Sequence, residues 1–345
     1  MKRLRCTRVP VLLGLFVLVG IAASAVAQKP YHILKTWTLP DAGWWDYLVV
    51  DPPAHRLYIT RGDHMDVVDS NSGKIIGTIS EMKGIHGIAF DATGKYGYIS
   101  DGGANEVVVF DRSTLKKVTT IPTGAGADAI MYEPVTNTIW TWNGHGHSAT
   151  KIDAATFKPV VTIPLPGKPE FAVADGHGLI YDNIEDKSEI VRIDAKTGTV
   201  TATWPLKDCE SPSGLAYDAA GKRLFPVCDG KHMGVVDATS GKTIATATIG
   251  EGPDAARWSA KHKLAFASCG GSGELAVVDA STPAYKTIEM LPTMRGARTM
   301  AYDTANDRFY LVTAKFGPRP KPTPENPYGR PPMLPGSFTV IVVGR

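Results

Sequence analysis

The sequence predicts an all-β fold: a seven-bladed β-propeller with four antiparallel strands per blade. Three observations predict it. A period near 42 residues runs the length of the chain, each period holds four strand-like runs, and the two ends are mismatched in a way that only a closed ring resolves.

The period shows in seven leading segments: "WWDYLVVD", "GIHGIAFD", "GADAIMYE", "KPEFAVAD", "SPSGLAYD", "GPDAARWS" and "GARTMAYD". Their third residues are Asp46, His86, Asp128, Glu170, Ser213, Asp254 and Arg298, spaced by 40, 42, 42, 43, 41 and 44 residues. In the second period the strand-like runs are "GIAF", "YGYIS", "EVVVF" and "KKVTTI". Short β-branched runs bounded by Gly, Asp and Asn read as strands, and no long helical period interrupts them. Asp69, Asp111, Asp153, Asp194, Asp237 and Asp279 recur at the ends of third strands. Their place before Ser, Thr and Gly makes them turn residues, because an Asp side chain there accepts from backbone amides ahead of it.

The seventh period reads "MAYD", "RFYLVT", "FTVIVVG" and then stops, one strand short. An orphan run near the N-terminus, "YHILKTWTL" (residues 31–39), resembles a fourth strand such as "KIIGTIS". It is expected to complete the last blade, which would otherwise present an open edge.

Residues 1–27 stand apart. "MKRLRCTR" is basic, the following run is apolar, and it ends in Ala25-Val26-Ala27, the order of a cleaved secretory signal peptide. The apolar run is almost long enough to serve instead as an uncleaved anchor. The expected organisation is a signal peptide at 1–27 and one propeller domain over 28–345, periplasmic or secreted, with no membrane span after cleavage. The whole chain carries 37 basic and 34 acidic residues, but four of the basic ones lie in 1–27. The remainder is 33 against 34, and this near-neutral balance gives no electrostatic footprint for nucleic acid.

The stretches "LYITRGDHMDVVDSNSGKIIGTI" and "GYISDGGANEVVVFDRSTLKKVTTI" resemble the YVTN-type repeat of the YncE-like seven-bladed propellers. In that repeat a Tyr-Val-Thr-Asn-like end of strand two precedes a Val-rich strand three ending in Asp. The resemblance covers essentially all of residues 28–345. It implies an extracytoplasmic propeller, similar in architecture to lactonase-type propellers and to the propeller domains of nitrogen-oxide reductases. The lactonase likeness implies a divalent metal at the channel mouth, although no motif carries specific ligands across.

In a propeller, strand one lines the channel. The seven third residues are therefore expected to form a ring at one mouth, here called the top: Asp46, His86, Asp128, Glu170, Ser213, Asp254 and Arg298. A second tier at the ends of second strands comprises Arg61, Asp101, Asn143, Asn183, Cys228, Ser268 and Thr313. Asp128, Glu170, Asp254 and His86 are the candidate metal ligands, for Ca²⁺ or Mg²⁺. Arg298 is a candidate anion contact or a partner for Asp46 or Asp254. The His145-x-His147 pair in a Gly-rich loop lacks the spacing of a known zinc motif and reads as an exposed loop. Residues 315–338 of blade seven hold eight prolines and are expected to form a cover beside the ring, a polyproline segment for a partner, or simply a rigid surface loop.

Three cysteines follow residue 27. Cys209–Cys228 is the first pairing expected and Cys228–Cys269 the second. No G-x-S-x-G, P-loop or CxxC motif names a reaction. The leading expectation is a monomeric, non-enzymatic propeller binding a small molecule or an extracytoplasmic protein at its top face. The alternative is a metal-dependent lactonase-like hydrolase or lyase at the same mouth.

Overall fold

A computed structural model of the chain describes residues 29–40, 43–324, 329 and 331–345. The signal-peptide expectation for residues 1–27 lies outside the described residues. Seven four-stranded sheets follow one another along the sequence. Blade one is β2 (Leu48–Asp51) to β5 (Ile75–Ile79), and blade two is β6 (Ile85–Phe90) to β9 (Lys117–Pro122). Blade three is β10 (Ala127–Glu133) to β13 (Lys158–Pro164), and blade four β14 (Pro169–Ala174) to β17 (Thr199–Pro205). Blade five is β18 (Glu210–Asp218) to β21 (Thr243–Thr248), and blade six β22 (Pro253–Ser259) to β25 (Lys286–Pro292). A single 3₁₀ turn, Glu185–Lys187, is the only helical element among the described residues. No described helix is long and apolar enough to cross a membrane.

The seventh sheet has the order β1-β28-β27-β26, with β26 at Met300–Asp303 and β27 at Arg308–Thr313. The N-terminal strand β1 (His32–Thr38) lies antiparallel to the C-terminal β28 (Thr339–Gly344), from His32 opposite Gly344 to Thr38 opposite Thr339. The ends are thus joined by backbone pairing. Side chains lock the join. Tyr31 is buried edge-on to Phe266 and Phe309, with its hydroxyl donating to Asp307 at 2.9 Å.

The core sits between blades rather than in a central mass. Apolar residues of the middle strands face the next sheet, as in the cluster joining Phe225, Val227 and Val235 of blade five to Ala265, Ala267 and Val278 of blade six. The recurring aspartates are turn residues, as expected. Asp69 accepts from the Ser72 amide at 2.7 Å, Asp153 from Thr156 at 2.8 Å and Asp194 from Thr197 at 2.8 Å. These donors hold the three carboxyls below the usual aspartate range.

Candidate functional site

The ring begins with an irregularity that the sheet repeats. In blades two to six the pairing of the first with the second strand slips near its start. The slips fall between Ile85 and Ile88, Ala127 and Ile130, Pro169 and Ala172, Pro212 and Leu215, and Pro253 and Ala255. Each interval contains the ring residue: His86, Asp128, Glu170, Ser213 or Asp254. A bulge releases one residue from the pleat and re-aims its side chain, which suits a position that must face the channel. In blades one and seven, Asp46 and Arg298 precede the first paired residue, Leu48 or Met300.

Six ring residues form an electrostatic network. His86 Nδ1 lies 2.7 Å from Asp46 Oδ2 and 3.6 Å from Asp128 Oδ1. Arg298 Nη2 lies 3.2 Å from Asp46 Oδ1, and its Nη1 pairs with Asp254. Lys168, two residues before Glu170, reaches Glu170 Oε2 at 3.1 Å and also pairs with Glu185. Ser213 stands apart: its hydroxyl donates to the Pro253 carbonyl at 2.9 Å.

Five carboxyls (Asp46, Asp128, Glu170, Glu185 and Asp254) thus share three cations, and the deficit is visible in their proton affinities. Burial pushes Asp128 up to about 6, with the Asp46 charge adding to it and His86 opposing. Burial and the Asp128 charge hold Glu170 well above the usual carboxylate range despite Lys168. Asp254 is raised by burial against the pull of Arg298. Burial would raise Asp46 as well, but Arg298 and His86 together bring it below its ordinary value. Burial disfavours the His86 imidazolium, yet the Asp46 hydrogen bond and the Asp128 and Asp46 charges push it up to about 9.

Asp46, His86 and Asp128 are also the described group whose donor atoms have the spacing of metal ligands. The donor set nevertheless does not suit the divalent metal implied by the lactonase likeness. Both Asp46 oxygens are already engaged, one by Arg298 and one by His86. With its pKa pushed up to about 9, His86 would have to give up a proton to ligate a metal at neutral pH. The protein's own cations, His86 and Arg298, occupy the Asp46 oxygens a metal would take.

The second tier makes its contacts within and between blades. Arg61, Asp101, Asn143, Asn183, Cys228, Ser268 and Thr313 are all buried. Asn183 donates to the Ser213 carbonyl at 2.7 Å, and the Ser268 hydroxyl to the Arg298 carbonyl. Asp101 accepts the Lys83 amide at 2.9 Å, and Asn143 bonds Thr150 at 3.0 Å. Arg61 lies over Phe338 at 3.6 Å and pairs with Asp66 at 3.3 Å. The physical reason is sheet closeness. A polar group on strand two sits within reach of the next blade's first strand, so it holds that ring residue's main chain. Thr60 and Ser100 do the same for the His86 and Asp128 carbonyls.

Sequence reasoning missed what lies around the ring. Below it, Tyr47 is buried among the fields of Glu170, Asp128, Asp46 and Asp254, and burial and those charges hold its phenol neutral. Beside it, Trp44 stacks on Phe316 at 6.2 Å, and Trp45 lies 5.9 Å from the same ring. With Arg298 and Pro331 these aromatics enclose a cavity of about 430 Å³. Phe316 and Pro331 belong to the proline-rich segment, whose arms are joined by the Gly317 amide donating to the Pro332 carbonyl at 2.8 Å. Residues 325–328 and 330 of the segment lie outside the described residues. Adjacent aromatics in "WWDY", one residue before the ring, were the available signal. His145 and His147 are exposed.

One further carboxyl stands out. Asp182, in β15 (Leu179–Ile184), is wholly buried. Burial and the neighbouring Glu170 charge push it well above the ordinary value of 3.8, with the Trp142 indole only partly offsetting them. A raised carboxyl contributes stability below its unfolded value and loses it as pH climbs through the folded one. The Asp182→Asn variant is therefore expected to gain on the wild type as pH rises, by about 1.4 kcal/mol per unit until the folded value is passed. Denaturant midpoints from pH 4 to 9 check this (roughly the span over which a buried carboxyl titrates); parallel curves would refute it.

No family model matches the chain. The uncharacterized protein YncE of Salmonella typhi is 26% identical over 148 residues, which is 41% of this chain and 42% of the relative. The match thus spans less than half the length of that curated protein. Among solved structures, Kuenenia stuttgartiensis hydrazine synthase superposes with a TM-score of 0.71 at 14% identity, covering 81% of this chain and 95% of that one. The WD40 repeats of RRP9 superpose with a TM-score of 0.73 at 11% identity, covering 91% and 97%. U3-55K gives 0.72 at 11% identity over 90% and 98%. At such identities the structural likeness speaks for the fold alone. Seven four-stranded sheets and a ring closed by the N-terminal strand make this chain a seven-bladed β-propeller, part of whose sequence is similar to YncE.

Proposed function

We propose that the chain is an extracytoplasmic, monomeric and non-enzymatic binding propeller whose top mouth takes a small organic cation. One observation carries the reading: carboxyls outnumber cations in a ring that adjoins an aromatic-walled cavity. Asp128 and Glu170 hold their protons unusually tightly because no nearby positive charge fully offsets their crowding. A ligand cation would supply that charge, and the aromatic wall of Trp44, Trp45 and Phe316 offers it a quadrupole. Arg298 at the cavity wall is neutralised by Asp46 and Asp254, so it does not repel such a ligand. A cavity of about 430 Å³ is the size of a small-molecule site rather than of a protein interface. Export is supported by the order of residues 1–27 and by the Cys209–Cys228 disulfide, a bond that persists in oxidising compartments.

The test is calorimetry with benzyltrimethylammonium against its uncharged isostere, neopentylbenzene, near pH 6. Binding of the cation should be saturable and should release protons, because a cation beside Asp128 lowers a carboxyl that is half protonated there. Replacing both Asp128→Asn and Glu170→Gln should weaken it about tenfold or more. Equal affinity for the isostere, or unchanged binding by the double variant, would reject the proposal.

A further inference from the structure

The channel has a second chemistry at its other end. Beyond Tyr47, whose ring lies 5.4 Å from Phe171, the guanidinium of Arg257 sits over the far side of the column, 5.6 Å from the Phe171 ring. From there a cavity of about 560 Å³ opens between the first strands of blades three to six. Its walls are apolar: Met131, Phe171, Val173, Leu215 and Trp258 line it. Met131, Val173, Leu215 and Trp258 lie towards the C-terminal halves of their strands, whereas the ring residues lie at the beginnings and Phe171 directly follows Glu170.

Arg257 is the one cation on this wall. Nη1 donates to the adjoining Ala256 carbonyl at 2.7 Å. Among the described residues no carboxylate lies within ion-pair distance of it, although every basic residue of the top ring has one. Burial without a counter-ion brings Arg257 down to about 10, with Tyr47 only partly opposing. A guanidinium carries five donors in a planar fork, and main-chain acceptance by Ala256 uses one of them. Desolvating that group is costly unless an anion or hydrogen-bond acceptors meet it.

We propose that this lower cavity is a second binding site, for an amphipathic organic carboxylate: its carboxylate on the Arg257 fork, its flat apolar body against Trp258, Leu215 and Val173. Planar bidentate pairing of Arg with a carboxylate fixes the head, and burial of the body supplies the rest of the affinity. The two mouths would then have opposite charge preference, with the Tyr47–Phe171 pair between them. This site stands independently of the cation site above.

The probe is 2-naphthoate, titrated into the intact protein and followed by calorimetry, with 2-naphthamide as the uncharged control. Saturable binding of 2-naphthoate is expected, with the amide about tenfold weaker or worse. Arg257→Gln should lower naphthoate affinity to that of the amide. Arg257→Lys should retain part of the difference, which separates loss of charge from loss of fold. Leu215→Trp should block both probes by filling the cavity, and circular dichroism would confirm that each variant is folded. Asp128→Asn with Glu170→Gln should leave naphthoate binding intact, so failure of the upper site and of this one are distinguishable. Equal affinity for acid and amide, unchanged binding by Arg257→Gln, or no saturable binding of either probe would overturn the proposal.

Discussion

A chain that begins at residue 40 should fail to form a stable monomeric ring. β1 supplies the outer strand of blade seven, and six of its residues pair with β28 from His32 to Thr38. Removing it bares the whole edge of β28, an apolar strand of sequence TVIVVG. An exposed strand of that composition is a template for pairing with another chain. The deletion also takes away Tyr31 and Leu39, both buried, and Trp37, which stacks on Tyr310 at 6.2 Å. At roughly 1.5–3 kcal/mol for each large apolar side chain, the loss is about 5 kcal/mol before any backbone pairing is counted. That equals the lower bound of the whole stability of typical domains. The assignment has independent support from Trp37 itself. A Cβ at Gly73, in the last turn of blade one, would lie 2.2 Å from the Trp37 ring. Trp204, sixth residue of β17 as Trp37 is sixth of β1, meets Gly241 of blade five in the same way, at 2.1 Å. β1 therefore contacts the following blade as an ordinary fourth strand does. Size-exclusion and thermal unfolding of the truncated chain check the expectation. A monomeric profile with an unchanged melting temperature would show that the join is dispensable.

The same repetition explains how much of the molecule was legible beforehand. A period near 42 residues is carried by turn aspartates and β-branched runs, which are local signals, and the blade count and closure follow from them. The ring was legible too, because one offset within the repeat recovers Asp46, His86, Asp128, Glu170, Asp254 and Arg298, and the structure brings these into one network. What the offset could not show is which way a neighbouring side chain turns. Asn183 and Ser268 are in register with Thr60 and Ser100, one residue before Arg61 and Asp101, and all four donate to the next blade's main chain while Arg61 turns to Phe338. The second tier as read from the sequence therefore mixes two registers, a one-residue offset that only the strand pairing reveals. Lys168 escaped because its role depends on Glu185, 17 residues away across the blade. The Tyr47–Phe171–Arg257 column escaped for a related reason: it joins first strands of three different blades inside the channel.

Removing the disulfide should cost less than opening the ring but more than a typical surface change. Cys209 lies in the connection that leads into β18, and Cys228 in β19 (Arg223–Asp229). They are joined with their Cα atoms 5.1 Å apart, while Cys269 is free and buried. The bond closes a loop with a sequence separation of 19. In the chain-entropy model such a loop contributes ~3 kcal/mol, by restricting the unfolded chain. Local structure gives the clamp a reason to sit here. β18 slips twice against β19, between Glu210 and Pro212 and again between Pro212 and Leu215, and Pro212 has no amide to donate. The start of this blade is therefore under-held by backbone pairing, and the covalent bond fixes it beside Ser213 of the ring. The paired replacement Cys209→Ala with Cys228→Ala should lower the unfolding free energy by about that amount and leave the circular dichroism spectrum unchanged. Reductant should shift the wild-type melting temperature towards that of the variant and leave the variant's own unmoved. Alkylation of the unfolded, unreduced wild type should find one thiol after residue 27, that of Cys269. Three reactive thiols, or a wild type as stable with reductant as without, would remove the bond from the account of blade five and leave its irregular first strand held by packing alone.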